Sequence, residues 1–330
     1  MNSDRHGDQV EPIDPEIARF VEAVIDGSAR YPDLAARPYP ERRAIAEEIR
    51  VPWRSGGPAM ARCEELSVPF GDRAVRARLL AGEGEGARPA LIYLHGGGFV
   101  FFSLDTHDRL MREYAAAADL VVIGIDYSLS PEARFPTALN EVLAVVDWIF
   151  QVAPALGLDT ARIAIGGDSA GANLALSTCL ALRDRGSKHP IAAMLLNYGF
   201  FDADFDTASQ QRDGGPGQML TSEELAGFLD EYFEPGARRD DPLALPALAE
   251  LHDLPPSLHI IAGRDPLADG DRAVAERMAA MGNAVEVKIY AGATHSFLEA
   301  MSIAPVAQQA IADSADWLQR TLTDPEVSAL

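Results

Sequence analysis

Lysine is almost missing from this 330-residue chain: only Lys188 and Lys288 occur. With arginine the basic residues number 28 against 50 acidic ones, a formal net charge of −22. A surface so negative repels other polyanions, which argues against nucleic acid and anionic membrane as partners. Cysteine is nearly as scarce. Cys63 and Cys179 cannot build a disulfide framework, and neither sits in a paired zinc-ligand motif. No uninterrupted apolar run approaches the ~18 residues that span a bilayer, and the polar start lacks the apolar core of a signal peptide. The expectation from these absences is a soluble, cytoplasmic protein.

What is present is material for a core. Apolar residues make up 48% of the chain, and 27 glycines and 22 prolines are spread along it, a globular composition that is neither disordered nor collagen-like. The length fits one α/β enzyme domain.

Residues 1–55 differ from the rest of the chain. Two amphipathic helices are predicted there, near 15–29 and 40–49, separated by breaks at Tyr31-Pro32, Val51-Pro52 and Gly56-Gly57-Pro58. Further on, strand-length apolar runs (90–94, 120–125, 162–165, 191–196, 258–262 and 285–290) alternate with helix-period segments (106–118, 137–156, 170–185, 267–281 and 306–322). Continuously apolar strands separated by helices imply a mostly parallel sheet covered on both faces. Two weaker strands, 66–70 and 75–81, are expected to form an antiparallel hairpin at its edge. Between Phe200 and His252 the rhythm lapses. A capping box at Thr221-Ser-Glu-Glu224 opens one helix reaching Phe233, and an insertion this long suggests a lid or binding loop.

Gly167-Asp-Ser-Ala-Gly171 follows a predicted strand and opens a predicted helix. In that setting Gly-x-Ser-x-Gly forms a tight turn that lifts Ser169 above the sheet, with the amides of a helix N-terminus beside it. A dinucleotide fingerprint would need glycine at Asp168, and a phosphate loop would need Lys-Ser/Thr at Ala172-Asn173. His95-Gly-Gly-Gly-Phe99 ends another strand, 74 residues upstream. Three glycines there let backbone N–H groups approach a substrate closely, as stabilising the oxyanion of acyl transfer requires.

A nucleophilic serine needs a base, and the base needs an orienting carboxylate, in the chain order Ser, Asp/Glu, His for this architecture. Asp265 and His295 meet that order, each just past a predicted strand, where open parallel sheets gather their sites. Asp269 and Asp271 are alternatives for the carboxylate. His6, His95, His107, His189, His252 and His259 fail the order, and His259, inside a strand, reads as a core residue. Asp202-x-Asp204-x-Asp206 mimics the start of a calcium loop but has Thr207 at the glycine position and Asp213 at the bidentate glutamate position. It reads as an acidic, solvated loop, and no metal is expected.

The sequence resembles the bacterial hormone-sensitive-lipase-like esterases, most of all their acetyl esterase branch. The likeness is densest from His95 to Asn140, where His-Gly-Gly-Gly-Phe, Leu104-Asp-Thr-His-Asp108 and Ile125-Asp-Tyr-Ser-Leu-Ser-Pro-Glu-Ala-Arg-Phe-Pro136 occur in family order. It implies an α/β-hydrolase fold, with a cap formed by residues 1–55 and about 200–252 on a catalytic domain of residues 56–330. It also implies Ser169 as nucleophile, His295 as base, Asp265 as its orienter, oxyanion donors at Gly97, Gly98 and Ala170, and His95 as support of that loop. The substrate expected is a short-chain acyl ester, with no cofactor; a homodimer is possible for such a protein. Amide hydrolysis by the same triad is an alternative, as is a non-catalytic ligand-binding or regulatory role like that of the gibberellin receptors, which lack the catalytic histidine.

Three departures from the family stand out. Phe102 occupies a common glycine position, Ser128 replaces an arginine with which a structural ion pair is associated, and Ala268 replaces another arginine. Phe99, Phe102, Tyr198 and Phe201 are the candidate pocket walls. Acidic residues in 202–206 and 223–234, if they crowd the cap, would disfavour anionic esters.

Overall fold

The computed structural model describes residues 11–323; the polar N-terminal stretch with His6 and the last seven residues lie outside them. Helix α1 (Pro15–Ala29) starts where Asp14 accepts hydrogen bonds from the Glu16 and Ile17 amides, with Pro15 fitting the first helical position. Helix α2 (Tyr39–Arg54) comes next and runs through Pro52, so the break expected at Val51-Pro52 does not occur there. Pro52 gives up the N–H that would donate to the carbonyl four residues back, a loss of one bond two residues from the helix end. Trp53 packs edge-on against Phe20 of α1 with ring centroids 4.9 Å apart, which holds that turn in place.

The chain then forms β1 (Arg62–Phe70), β2 (Arg73–Ala81), β3 (Arg88–Leu94), α3 (Asp108–Ala117), β4 (Val121–Asp126), α4 (Thr137–Leu156), β5 (Leu158–Asp168) and α5 (Ala170–Asp184). It continues through β6 (Ala193–Asn197), α6 (Ala208–Asp213), α7 (Ser222–Tyr232), β7 (Ser257–Arg264), α8 (Ala268–Ala280), β8 (Val285–Thr294) and α9 (Pro305–Thr323). The eight strands make one sheet in the order β1-β2-β4-β3-β5-β6-β7-β8. β2 is antiparallel to both β1 and β4, and every other pairing is parallel. The hairpin therefore sits at the edge, as expected for the two weaker strands.

Buried apolar residues fall into two clusters, one on each face of the sheet. Helices α4 and α5 cover one face with Val142, Val145, Ile149, Leu176 and Leu180. Helices α1, α2, α3 and α9 contribute to the other with Phe20, Ile49, Met111, Tyr114 and Leu318. The fold is thus a mostly parallel sheet between helical layers, as the resemblance implies.

Helix α4, at 20 residues, is long and apolar enough by length and composition to cross a membrane, although no uninterrupted apolar run in it nears that length. Glu141 and Asp147 interrupt its apolar run, which is why a count of consecutive residues misses it. In the fold its apolar stripe is buried in the core.

Between β6 and β7 there is no strand. The segment contains α6, α7 and a short 3-10 turn at Pro246–Leu248, and the Thr221 capping box opens α7. The acidic loop before α6 is not uniformly solvated. Asp204 and Asp206 are exposed, but Asp202 is half-buried, close enough to Gly270 in α8 that a Cβ there would lie 2.3 Å from its carboxylate, and burial raises its pKa.

Candidate active site

Ser169 stands between the end of β5 and the start of α5 with φ 54°, a left-handed conformation that costs a non-glycine residue roughly 1–3 kcal/mol. Its neighbours enforce the strain. The Ser169 amide donates to the Asn197 carbonyl at 2.9 Å, and its own carbonyl accepts from the Phe200 and Asn173 amides. Gly167 and Gly171 are required on either side, since a Cβ at those positions would lie 2.3 and 2.0 Å from the Leu94 carbonyl oxygen. Serine alone is thereby raised out of the turn.

His295 comes directly after β8, and its Nε2 is 3.0 Å from Ser169 Oγ. Its Nδ1 is 2.7 Å from Oδ2 of Asp265, just past β7. With Nδ1–H donating to the carboxylate, Nε2 is left to accept the serine proton. The other Asp265 oxygen accepts from the Leu267 amide at 2.9 Å, which fixes the carboxylate's angle. All three side chains are buried. Tyr198 holds its ring edge-on to His295 from behind, centroids 5.1 Å apart.

The alternative carboxylates are engaged elsewhere. Asp271 is 2.6 Å from Nδ1 of His259 and accepts the Gly199 amide, and Asp269 accepts the Ser209 amide and pairs with Arg272. His259 is a core residue, as its strand position implies, though it carries a buried acidic partner that the strand pattern does not reveal.

The glycine loop after β3 lies beside the serine. Gly97 and Gly98 have φ of 114° and 60°, and neither amide donates to a backbone carbonyl among the described residues. A Cβ at Gly97 would meet the Phe101 carbonyl at 2.2 Å, so only glycine holds this course. Ala170, the first residue of α5, has an amide without an intrahelical acceptor. His95 braces the loop from below: its Nδ1–H donates to the Gly96 carbonyl at 2.8 Å, and its ring stacks on Tyr127 at 4.3 Å. Burial first, and then the charge of His107, lower its pKa to about 4, so the ring is neutral near pH 7.

A cavity of about 630 Å³ opens over Ser169 and His295. Its walls come from α1, α2, the glycine loop and α7, among them Val24, Tyr39, Ile49, Phe101, Phe102, Met219 and Phe228. Of the four aromatic candidates only Phe102 is in this wall. Phe99 instead stacks on Tyr232 with centroids 3.8 Å apart, Tyr198 backs His295, and Phe201 packs against Gly199 and His259. Aromatic clustering near strand ends marks the neighbourhood, but side-chain direction decides which rings face solvent-filled space. Sequence reasoning also misses Arg42, Arg50 and Phe228, which carry no motif; the only available sign was their place on amphipathic helices in the two irregular segments.

A family model described as the alpha/beta hydrolase fold matches residues 91–299. The hyperthermophilic esterase of the archaeon Pyrobaculum calidifontis is similar at 30% identity, over 94% of this chain and 99% of that one, with a TM-score of 0.85. A thermophilic and thermostable carboxylesterase cloned from a metagenomic library is similar at 32% identity, over 88% and 99% of the two chains, with a TM-score of 0.83. An ester-hydrolase from the metagenome of Lake Arreo, solved with a derivative of bipyridine phosphonate, is similar at 30% identity, over 93% and 98%, with a TM-score of 0.87. Together with the elbow, the glycine loop and the ordering of Ser169, Asp265 and His295, these likenesses show that the chain belongs to the α/β-hydrolase family, in its hormone-sensitive-lipase-like esterase group.

Proposed function

We propose that this carboxylic ester hydrolase cleaves short-chain acyl esters through an acyl-enzyme intermediate formed on Ser169. His295 removes the Ser169 proton as Oγ attacks the ester carbonyl, and the negative charge that develops is met by the amides of Gly97, Gly98 and Ala170. The imidazolium, held by Asp265, then protonates the departing alcohol. In the second half-reaction His295 takes a proton from water, whose hydroxide attacks the acyl carbon, and the imidazolium returns that proton to Ser169 Oγ as the acid leaves.

The observation that carries this reading is the continuous chain of contacts from Asp265 through His295 to Ser169, at 2.7 and 3.0 Å, on the floor of an open cavity. The same contacts weigh against a non-catalytic role, because a binding protein has no use for a strained serine aligned on a histidine. The short-chain preference is supported by the acetyl-esterase-like motifs and by Phe102 projecting into the cavity wall. Purified protein should hydrolyse p-nitrophenyl acetate, and Ser169→Ala should remove at least ~10³ of the rate while remaining folded. Undiminished hydrolysis in the folded variant would refute Ser169 as the nucleophile.

A further inference from the structure

Arg42, Ala46, Ile49 and Arg50 lie on one face of α2, and all four line the cavity above Ser169. Arg50 is the unusual member. Its side chain is only 8% exposed, and Nε approaches Glu299, itself 9% exposed, to 2.7 Å. That N–H is not aligned on the carboxylate, and among the described residues the guanidinium makes no hydrogen bond of good geometry. Its Cζ lies 5.0 Å from the Phe102 ring, and Phe20 is 5.9 Å away. A buried guanidinium carries five N–H donors, and leaving them unmatched is costly. The space available for an acceptor is the cavity.

Arg42 shares the pattern more openly. Its Nε is buried without a partner, no carboxylate among the described residues is paired with it, and it lies over the rings of Tyr39 and Phe101 at 4.5 and 5.3 Å. The acidic residues on the opposite wall are mostly engaged: Glu224 caps Thr221, Glu231 binds Tyr39 and Arg134, and Asp230 pairs with Arg239. Glu223 is exposed. The α2 wall therefore presents two cations, with Glu299 against Arg50, while across the cavity Glu223 and Glu224 have no cation partner among the described residues.

On the reading that this cavity binds esters, we propose that Arg50, with Arg42 beside it, selects substrates carrying a second, ionised carboxyl group. A carboxylate matches the planar guanidinium fork and the local positive charge of the α2 wall together, which a neutral carbonyl does not. This reverses the expectation that an acidic cap disfavours anionic esters. The net charge of −22 acts at long range and is screened beyond ~8 Å at physiological salt, whereas Arg50 acts in contact.

Two substrate pairs at about 0.15 M salt test this. One is 4-acetoxybenzoate against its methyl ester, with the charge on the alcohol side. The other is the mono-p-nitrophenyl ester of adipic acid against p-nitrophenyl hexanoate, with the charge on the acyl side. In at least one pair, Arg50→Met should lower kcat/KM for the anionic member about 10- to 100-fold more than for the neutral one. The double variant Arg50→Met/Glu299→Gln, which leaves no lone buried carboxylate, should show the same difference. On the unsubstituted protein, benzoate should inhibit p-nitrophenyl acetate hydrolysis competitively and benzamide should not. Equal losses for both members of both pairs, or equal action of benzoate and benzamide, would overturn the proposal and make Arg50 a packing residue. Failure to cleave any ester of either pair, anionic or neutral, would overturn the ester-hydrolase reading itself.

Discussion

Nε2 of His107 lies 3.2 Å from Oδ2 of Asp168, the residue immediately before Ser169. The other Asp168 oxygen accepts the Tyr93 hydroxyl at 2.8 Å, and a Cβ on Gly96 would lie 2.3 Å from Oδ2. One buried carboxylate thus joins the Ser169 turn, β3 and the glycine loop. Burial pushes Asp168 up and His107 down, but their mutual charge and hydrogen bond outweigh it, leaving Asp168 lowered and His107 raised.

These opposed shifts set the sign of the pH effect. The His107 contribution is full below its ordinary value of 6.5 and is lost as pH rises through the raised folded value. The Asp168 contribution is present above 3.8 and is lost as pH falls through the lowered folded value. His95 acts oppositely to His107, because its lowered pKa reduces stability as pH falls from 6.5 towards 4. Comparing His107→Gln with the parent cancels most of the His95 effect. The difference in Tm should be largest just below pH 6.5 and shrink as pH rises above it through the raised folded value; a constant difference would show that His107 is uncharged.

Asp265 and Asp269 stand four residues apart, yet only Asp265 touches His295. Asp265→Asn should lower kcat by about 10⁴, since an amide leaves the imidazole in the wrong tautomer. Asp269→Asn should change kcat less than about tenfold. Steady-state kinetics on p-nitrophenyl acetate distinguishes the two, and comparable losses would argue against the assignment.

Phe102 has φ 69°, a conformation suited to the glycine the family commonly carries there. Phe102→Gly should relieve backbone strain and enlarge the cavity together. In an acyl series from acetyl to octanoyl, kcat/KM for the longer esters should rise about tenfold or more relative to acetyl, at ~0.8 kcal/mol per buried methylene. An unchanged profile would remove Phe102 from the control of chain length.

Glu141 is fully buried in α4 and accepts from the Ser128 amide and hydroxyl at 2.6 and 2.8 Å. Ser128 stands where the family carries arginine, and Arg73 reaches across from β2 to pair with Glu141 instead. Arg73 is partly exposed and Ser128 would remain, so Arg73→Ala should cost about 2 kcal/mol, below the usual range for a broken buried pair. Adding Ser128→Arg should restore at least half of the loss in denaturant melts. No recovery would mean that the two positions do not supply the same charge.

Much of this protein is legible residue by residue. The alternation of apolar strands and helices and the positive-φ glycines after β3 follow from periodicity and tight turns, which restrict which residues can occupy each place, while the order Ser169, Asp265, His295 is read through the family resemblance. His107 shows where that legibility ends: its chain position excludes it as the base, but nothing local tells that it faces Asp168 across 61 residues. The same holds for Arg50 and Glu299, which lie in separate segments and meet only through packing. It holds again for Phe99, Tyr198 and Phe201, whose rings turn into the core while Phe102 faces the cavity. Sequence by itself determined the fold, through the periodicity of its strands and helices, and singled out Ser169, Asp265 and His295 through motifs in family order. Tertiary structure decided which charges are paired and which are left for a substrate, because pairing depends on side chains brought together from distant segments.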